Sequence, residues 1–409
     1  MAAGGEARTA YAGGTERALL IVILAALTSL APFSTDMYLP ALPALARDFH
    51  VPASAAEHTI AAFFVGFTFG QMFAGTLADR LGRKLPVYLG VGLYVAASLG
   101  CALAPSIDAL IALRVFQALG ACAGMVVARA VVRDLFAERD AAHVMSHMVL
   151  AMGLAPLIAP LMGGYILLYF GWRADFLTMT VIALAILTAA ALGLPETHPP
   201  EKRRRLRLGA MLHEYRYLAR QRNFVGYALG GSISHSCLFV YITASPHVFI
   251  DYFHVAPQHY GWLFGANATA LITASQVNAA FLKRLPARLV LRGAHLVQLA
   301  GATVLLFNAW TGFGGLTAIV VSLFLCAPMN GAVVPTATAL ALSPHGERAG
   351  AASALFGTLQ FGLAAVFSYV VAAIAVPGPL PMASVIFGCA VLAITFNLST
   401  RPANPPSPT

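Results

Sequence analysis

PETHPPEKRRRLRLGAMLHEYRYLARQRN, Pro195 to Asn223, is the longest polar insertion in a chain of 409 residues, and it is centred near residue 209. Long apolar runs flank it on both sides. Residues of the AVILMFWYC set make up 59% of the chain, 36 Gly add to that, and charged residues are only 10%; mean hydropathy is +0.77. A soluble domain carries about 25% charged residues, so no polar shell is available to cover a conventional core of this size. The solvent that matches these residues is lipid.

A helix needs roughly 20 residues to cross a bilayer core, so twelve crossings use about 240 residues and leave about 170 for loops and tails. Apolar runs of that length occur at 18–39, 57–78, 86–105, 108–131, 142–168 and 173–194 before the insertion, and at 224–250, 260–282, 288–309, 313–338, 348–374 and 380–398 after it. Charge or turn chemistry separates them, as at Arg47-Asp48, Pro105, Gly171-Trp172-Arg173, Pro257, Pro344 and Pro377-Gly378-Pro379. With the N-terminus inside, 21 of the 25 Lys and Arg fall on the cytoplasmic side and only Arg47 and Arg173 outside; Arg114 and Arg129 belong to span 4. That asymmetry fixes both termini in the cytoplasm.

The expected fold is an all-α integral membrane protein with twelve transmembrane helices in two pseudo-symmetric six-helix halves. The boundaries are a cytoplasmic tail 1–17, a first half 18–194, the basic linker 195–223, a second half 224–398 and a tail 399–409. The apolar segment after the N-terminal tail lacks a clear A-x-A site and reads as an uncleaved first helix. A weak echo at an offset of 205 supports duplication: Gln71, Ala74, Leu77 and Arg83 recur as Gln276, Ala279, Leu282 and Arg288. Two such halves joined by a linker form the architecture of a rocking transporter. Cys101, Cys122, Cys237, Cys326 and Cys389 stand singly in apolar runs, which predicts buried reduced thiols rather than disulfides or a zinc site. The net charge of +9 is explained by topogenic placement, without nucleic acid.

After span 2 comes GTLADRLGRK, Gly75 to Lys84, an acid and three bases with two Gly in a cytoplasmic turn. Here the chain resembles the major facilitator superfamily, whose loop between helices 2 and 3 carries such a motif. The resemblance implies that Gly75, Asp79, Arg80, Gly82 and Arg83 form a conformational latch, with Asp79 favouring the N-terminus of span 11 after Gly346-Glu347-Arg348. A solvated topogenic cluster is the plainer reading. The second-half copy, LKRLPARLVLR, lacks the acid and has Pro286 in place of a Gly, so a latch there is degenerate.

ALRVFQALGACAG in span 4 places Arg114 and Gln117 one turn apart and resembles the helix 4 motif of that superfamily. An intramembrane Arg costs about 2.5–3.5 kcal/mol and must face a cavity or a partner. FSTDMYLPALP in span 1 offers Asp36 as the one intramembrane acid, the other fifteen falling in loops, tails or helix ends. Counted from the outer ends, Asp36 lies about 5 Å deep and Arg114 about 9 Å, so the expectation pairs them. A carboxyl that alternates between shelter and a guanidinium can take up and release a proton. A helix-terminal acid near Pro40 and Pro43, facing outer water, is the alternative.

Span 5 reads MGLAPLIAPLMGG, with Gly153, Pro156, Pro160, Gly163 and Gly164. It resembles the helix 5 motif of the antiporter branch, departing from it at Ala155, where a Gly usually precedes the Pro; ordinary small-residue packing is the other reading. With VARAVVRDLF (Val127–Phe136), ITASPHVFI (Ile242–Ile250) and GAASALFGTLQFG (Gly350–Gly362), the chain is similar to the Bcr/CflA subfamily of bacterial drug:proton antiporters from about residue 18 to 400. The resemblance implies a multi-pass monomer in the bacterial inner membrane that exports small amphipathic antibacterial compounds against protons, one proton per cycle because Thr28 stands where some relatives carry an extra acid.

Candidates to line a substrate cavity are Tyr38, Gln117, Met148, Met152, His235, Tyr241, Asn267, Asn330 and Gln360, each also compatible with packing. His143 and His147 share a helix face without a third ligand, and no metal is expected. No Walker-type sequence is present and no cofactor is expected; the partners are drugs, protons and lipid. A proton-linked metabolite exporter or symporter of the same fold is the alternative function. An enzyme would need a nucleophile–base pair or a metal cluster, and the sequence shows neither.

Overall fold

A computed structural model describes residues 14–202, 208–374 and 376–400. Arg8, the basic run Arg203–Arg207 and Arg401 lie outside the described residues. The described chain is helical, and eleven of its helices are long and apolar enough to cross a membrane. Span 8, Pro257–Leu282, at 26 residues, matches them in length but is more polar. With it the chain has the twelve-helix architecture expected from the sequence.

Span 1 runs as Thr15–Asp36 and continues through a 3-10 turn, Leu39–Ala41, into a short helix, Leu42–Asp48. Pro40 and Pro43 cause the break: Pro lacks an N–H and suits the first turn of a new helix, where no intrahelical donor is required. Asp36 is therefore followed by eleven more residues before Asp48 and lies deeper than the sequence edges imply. Spans 2 to 6 are Ala53–Leu81, Lys84–Ala102, Ile107–Leu135, Glu138–Phe170 and Trp172–Gly193. Span 7 is Arg222–Pro246, continued as a π-helical turn, His247–Tyr252. Spans 9, 11 and 12 are Ala287–Thr311, Ala349–Ala373 and Leu380–Leu398. Span 10 is broken into Gly315–Cys326 and Asn330–Leu342 by a 3-10 turn containing Pro328.

Two compact units emerge. The first takes the described part of residues 1–206 together with Ile242–Ala268 and the described part of 372–375. Within it spans 2, 3 and 4 cross with backbones almost touching. A Cβ added at Gly66 would lie 2.2 Å from the Val115 carbonyl oxygen, and one at Gly120 would lie 2.4 Å from that of Gly90. Such small residues are what permits close helix association where lipid removes the usual hydrophobic drive.

The second unit takes Arg207–Tyr241, Thr269–Val371 and the described part of 376–409. The same device recurs there: a Cβ at Gly331 would lie 2.3 Å from the Leu271 oxygen, and one at Gly301 would lie 2.9 Å from the Cys326 nitrogen. Buried polar pairs add to it, with Ser234 donating to Gln298 at 2.7 Å and Asn308 to Ser322 at 2.9 Å. The linker forms a helix, Leu208–Arg220, whose Leu218 is buried with Phe224, Leu291, Val333 and Phe356. Its Glu214 pairs with Arg348 at 2.7 Å. All five cysteines are buried and free, as the sequence predicts.

Candidate functional site

Arg114 is the largest fully buried side chain of the chain's described part, at 0% exposure. Its Nη1 donates to the Ser34 carbonyl of span 1 at 2.9 Å and to Gln117 Oε1 at 2.5 Å. The guanidinium carbon lies 4.4 Å from the ring centres of both Tyr38 and Phe63 and 5.9 Å from that of Phe176. Nε and Nη2 have no hydrogen-bond partner among the described residues. One cation therefore joins spans 1, 2, 4 and 6, its charge met by ring faces and a carbonyl. Gln117 extends the network by donating to Ser98 of span 3 at 2.7 Å, and Ser34 shares a hydrogen bond with Tyr94 at 2.7 Å.

The expected pairing of Asp36 with Arg114 is not formed. Asp36 is buried at 3% exposure, but among the described residues its side chain accepts only from Thr35 Oγ1, at 2.9 Å, and makes no ion pair. Helix geometry explains the difference. Side chains two residues apart on a helix project about 200° apart, so the flank of Ser34, which meets spans 3 and 4, is not the flank of Asp36. The second correction concerns the count of buried acids. Glu57, at 7% exposure, and Asp175, at 0%, are also enclosed within helices. The sequence reading placed Glu57 at the edge of span 2, whereas the helix starts at Ala53 and the Leu42–Asp48 segment packs over that end. Asp175 lies in the first turn of span 6, and neither of its oxygens has a hydrogen-bond partner among the described residues.

In the cytoplasmic turn, Gly82 takes φ 91°, which only glycine adopts without strain. This turn delivers Arg83 into a cage. Its Nε donates to Asp134 at 2.8 Å and its Nη1 to Asp79 at 2.7 Å, while its backbone N–H donates to Glu196 at 2.8 Å. Thr197 also donates to Asp134 at 2.8 Å. Burial works against the charge on Arg83, but Asp134 and Asp79 outweigh it and hold the guanidinium above its ordinary range. The sequence reading found Asp79 and Arg83 and missed Asp134, Glu196 and Thr197; the signal was the Arg133-Asp134 pair closing VARAVVRDLF. Arg80 is exposed, and a Cβ at Gly75 would meet nothing nearer than 3.9 Å.

Span 5 stays helical through Pro156 and Pro160. A Cβ at Gly163 would lie 1.6 Å from the Met37 oxygen, and one at Gly164 would lie 2.9 Å from the Pro257 oxygen. Gly261 and Gly265 of span 8 return the contact, each closing on a span 5 leucine: a Cβ at Gly261 would lie 2.8 Å from Leu161 and one at Gly265 would lie 2.7 Å from Leu157. Met148 and Ala155 are in the core, and Gly153 and Met152 are half-buried.

Two cavity candidates are reassigned. Tyr38, bonded to Thr59 at 2.7 Å, and Gln117 are fully buried partners of Arg114. Tyr241, Asn267 and Asn330 are buried as well, and Asn330 Nδ2 donates to the Ala327 carbonyl at 3.1 Å. His235 and Gln360 are half-buried. The His235 ring stands edge-on to Phe239 at 4.7 Å and to Phe361 at 6.3 Å.

Comparison with known proteins places these features in context. The Major Facilitator Superfamily model matches residues 24–369. An uncharacterized MFS-type transporter of Bacillus subtilis is 35% identical, over 93% of this chain and 94% of its own length. A bicyclomycin resistance protein homolog of Haemophilus influenzae is 32% identical, over 92% and 94%. A chloramphenicol resistance protein of Pseudomonas aeruginosa is 31% identical, over 81% and 77%. Among solved structures, a D-xylose–proton symporter superposes with a TM-score of 0.71 at 16% identity, covering 93% of this chain and 97% of that one.

Proposed function

Because the chain belongs to the Major Facilitator Superfamily, we propose that it is a proton-coupled exporter of small amphipathic antibacterial compounds, working as a monomer by alternating access in the bacterial cytoplasmic membrane. The moving bodies in this reading are the halves 18–194 and 224–398, joined by the linker. The observation that carries it is Asp36: a carboxyl sheltered in span 1, held by one hydroxyl and, among the described residues, neutralised by no cation. Such a group is chemically free to exchange a proton whenever a water path reaches it. Two of the relatives at more than 30% identity are named for resistance to antibiotics, which supports the substrate class.

In this mechanism a compound loads from the cytoplasm while Asp36 is ionised. After reorientation, a proton from outside neutralises Asp36 and weakens the site, and the compound leaves. Gly163 and Gly164 let span 5 seal the outer side against leakage while the inner path is open. One inward proton per neutral compound gains about 2.3 kcal/mol per 100 mV and about 1.4 kcal/mol per pH unit, together enough for roughly a 500-fold gradient.

The test is Asp36→Asn in a pump-deficient strain, read by a growth-inhibition panel that includes bicyclomycin and phenicols, with and without a protonophore. The wild-type chain is expected to confer resistance that the protonophore abolishes, and the variant to confer none at equal expression. Full resistance in Asp36→Asn would remove that carboxyl from the mechanism.

A further inference from the structure

A second titratable cluster lies at the outer end of the first compact unit. It draws on three segments far apart in sequence: Arg47 on the helix after span 1, Glu57 one turn into span 2, and His247 and Asp251 on the π-helical end of span 7. Asp251 Oδ2 is 3.2 Å from His247 Nδ1, and Oδ1 is 3.6 Å from Arg47 Nη1. Glu57 lines the same small pocket as His247 and Asp251, walled by Leu42, Pro43 and Ala56. It accepts no hydrogen bond from a described residue, so its charge is met only across the pocket. The wider π-turn is an uncommon element, frequent at functional sites, and here it sets both residues of span 7 toward the pocket.

We propose that Arg47, Glu57, His247 and Asp251 form a proton-sensitive lock on the outer end of the transport path. The inference rests on alternating access as read above, but not on Asp36 or on the identity of the exported compounds. With both carboxylates ionised and His247 protonated between them, two negative and two positive charges balance and hold span 7 against spans 1 and 2. When an acidic exterior protonates Glu57, the positive charges of Arg47 and His247 outnumber Asp251, the one carboxylate left between them; the balance is lost, and the outer end parts. Acid outside thus opens the path on the side from which the driving proton comes.

The remaining titratable groups of these segments are Asp48, His50, His58 and His254, with His259 at the start of span 8. Asp48 is occupied by Trp172 at 3.0 Å and Arg173 at 2.6 Å. Histidines that gain charge in acid add to the repulsion, so they do not change its sign.

The experiment places spin labels at Leu103 and Trp262, which are 72% and 61% exposed, in the full chain in lipid nanodiscs. Pulsed electron resonance then reads their separation at about pH 8 and about pH 5.5, on either side of the range in which histidine ordinarily changes charge. The expected result is a population longer by roughly 5 Å or more, the scale of an element sliding by a helical turn, appearing only in acid. The isosteric variant Glu57→Gln is expected to show that population at both pH values. Arg47→Gln, at a 70% exposed side chain, tests the same charge balance without touching the core and is expected to shrink the acid shift. The Asp36→Asn background should retain the full shift, which separates this lock from the coupling carboxyl. Equal distances at both pH values in the wild type, closure in acid, or an unaltered shift in Glu57→Gln would each overturn the proposal.

Discussion

Arg114 lies over the face of Tyr38, its guanidinium carbon 4.4 Å from the ring centre, and spends its Nη1 hydrogen bonds on the Ser34 carbonyl and Gln117 instead of on Asp36. A planar guanidinium can lie between the Tyr38 and Phe63 rings while donating in its own plane, which an ammonium cannot do. Desolvated cation–π contacts are worth about 2 kcal/mol or more. Arg114→Lys is therefore expected to lower thermal stability markedly in purified protein, by several degrees. Whatever transport survives should keep the wild-type pH profile. A shifted profile with unchanged stability would return Arg114 to the proton-exchange machinery.

Asp175 presents the opposite case, a buried acid with nothing to lose. Neither oxygen is hydrogen-bonded, and its one evident support is the first turn of span 6, whose dipole favours an acid. Breaking a buried pair by removing one partner costs about 3–5 kcal/mol, but here there is no partner to strand. Asp175→Asn is expected to match or exceed wild-type thermal stability and to retain resistance. A change in the measured proton-to-drug ratio in this variant would make Asp175 a second exchange site.

The membrane class, the orientation, the spans and the glycine-rich motifs were legible because they depend on composition and local spacing. Lys and Arg placement alone orients the chain, and Gly163-Gly164 announces close packing without naming its partner. What was not legible depends on rotation about helix axes. Ser34 and Asp36 are two residues apart, yet only one of their flanks meets Arg114, and no depth estimate distinguishes flanks. Glu57 was read at a helix edge because the sequence did not reveal that Leu42–Asp48 continues span 1 and packs over it. Asp134 and Glu196 reach Arg83 across 51 and 113 residues of sequence, a distance that spacing arguments do not bridge.

Within that cage the two acids differ. The Asp134 side chain is 23% exposed and also accepts from Thr197, while that of Asp79 is 57% exposed. Hydrogen bonds to charged groups are worth about 1.5–3 kcal/mol when sheltered, and exposed pairs closer to 0–1 kcal/mol. Asp134→Asn is expected to destabilise the cytoplasmic side more than Asp79→Asn does. Proteolysis of the linker in membranes checks this: Asp134→Asn should be cleaved several-fold faster than wild type and Asp79→Asn at a rate near it. Equal rates in the two variants would show that the cage has no preferred anion.

Two glycines from the sequence motifs make a matched pair for a steric test, because one is crowded and the other is not. A Cβ at Gly163 would fall 1.6 Å from the Met37 oxygen, a backbone atom that cannot rotate away, whereas a Cβ at Gly75 would sit 3.9 Å from the Val126 side chain. Overpacking a close helix crossing costs about 1–3 kcal/mol, and here the strain falls where span 5 meets span 1 beside Asp36. Gly163→Ala is expected to insert but to abolish resistance, with span 5 pushed off Met37. Gly75→Ala, a better helix former in open space, should stay within about twofold of wild type. Thermal unfolding of the purified proteins separates the two, with the midpoint falling in Gly163→Ala and unchanged in Gly75→Ala. A Gly163→Ala protein that transports normally would mean that this crossing opens through every cycle without needing close backbone contact.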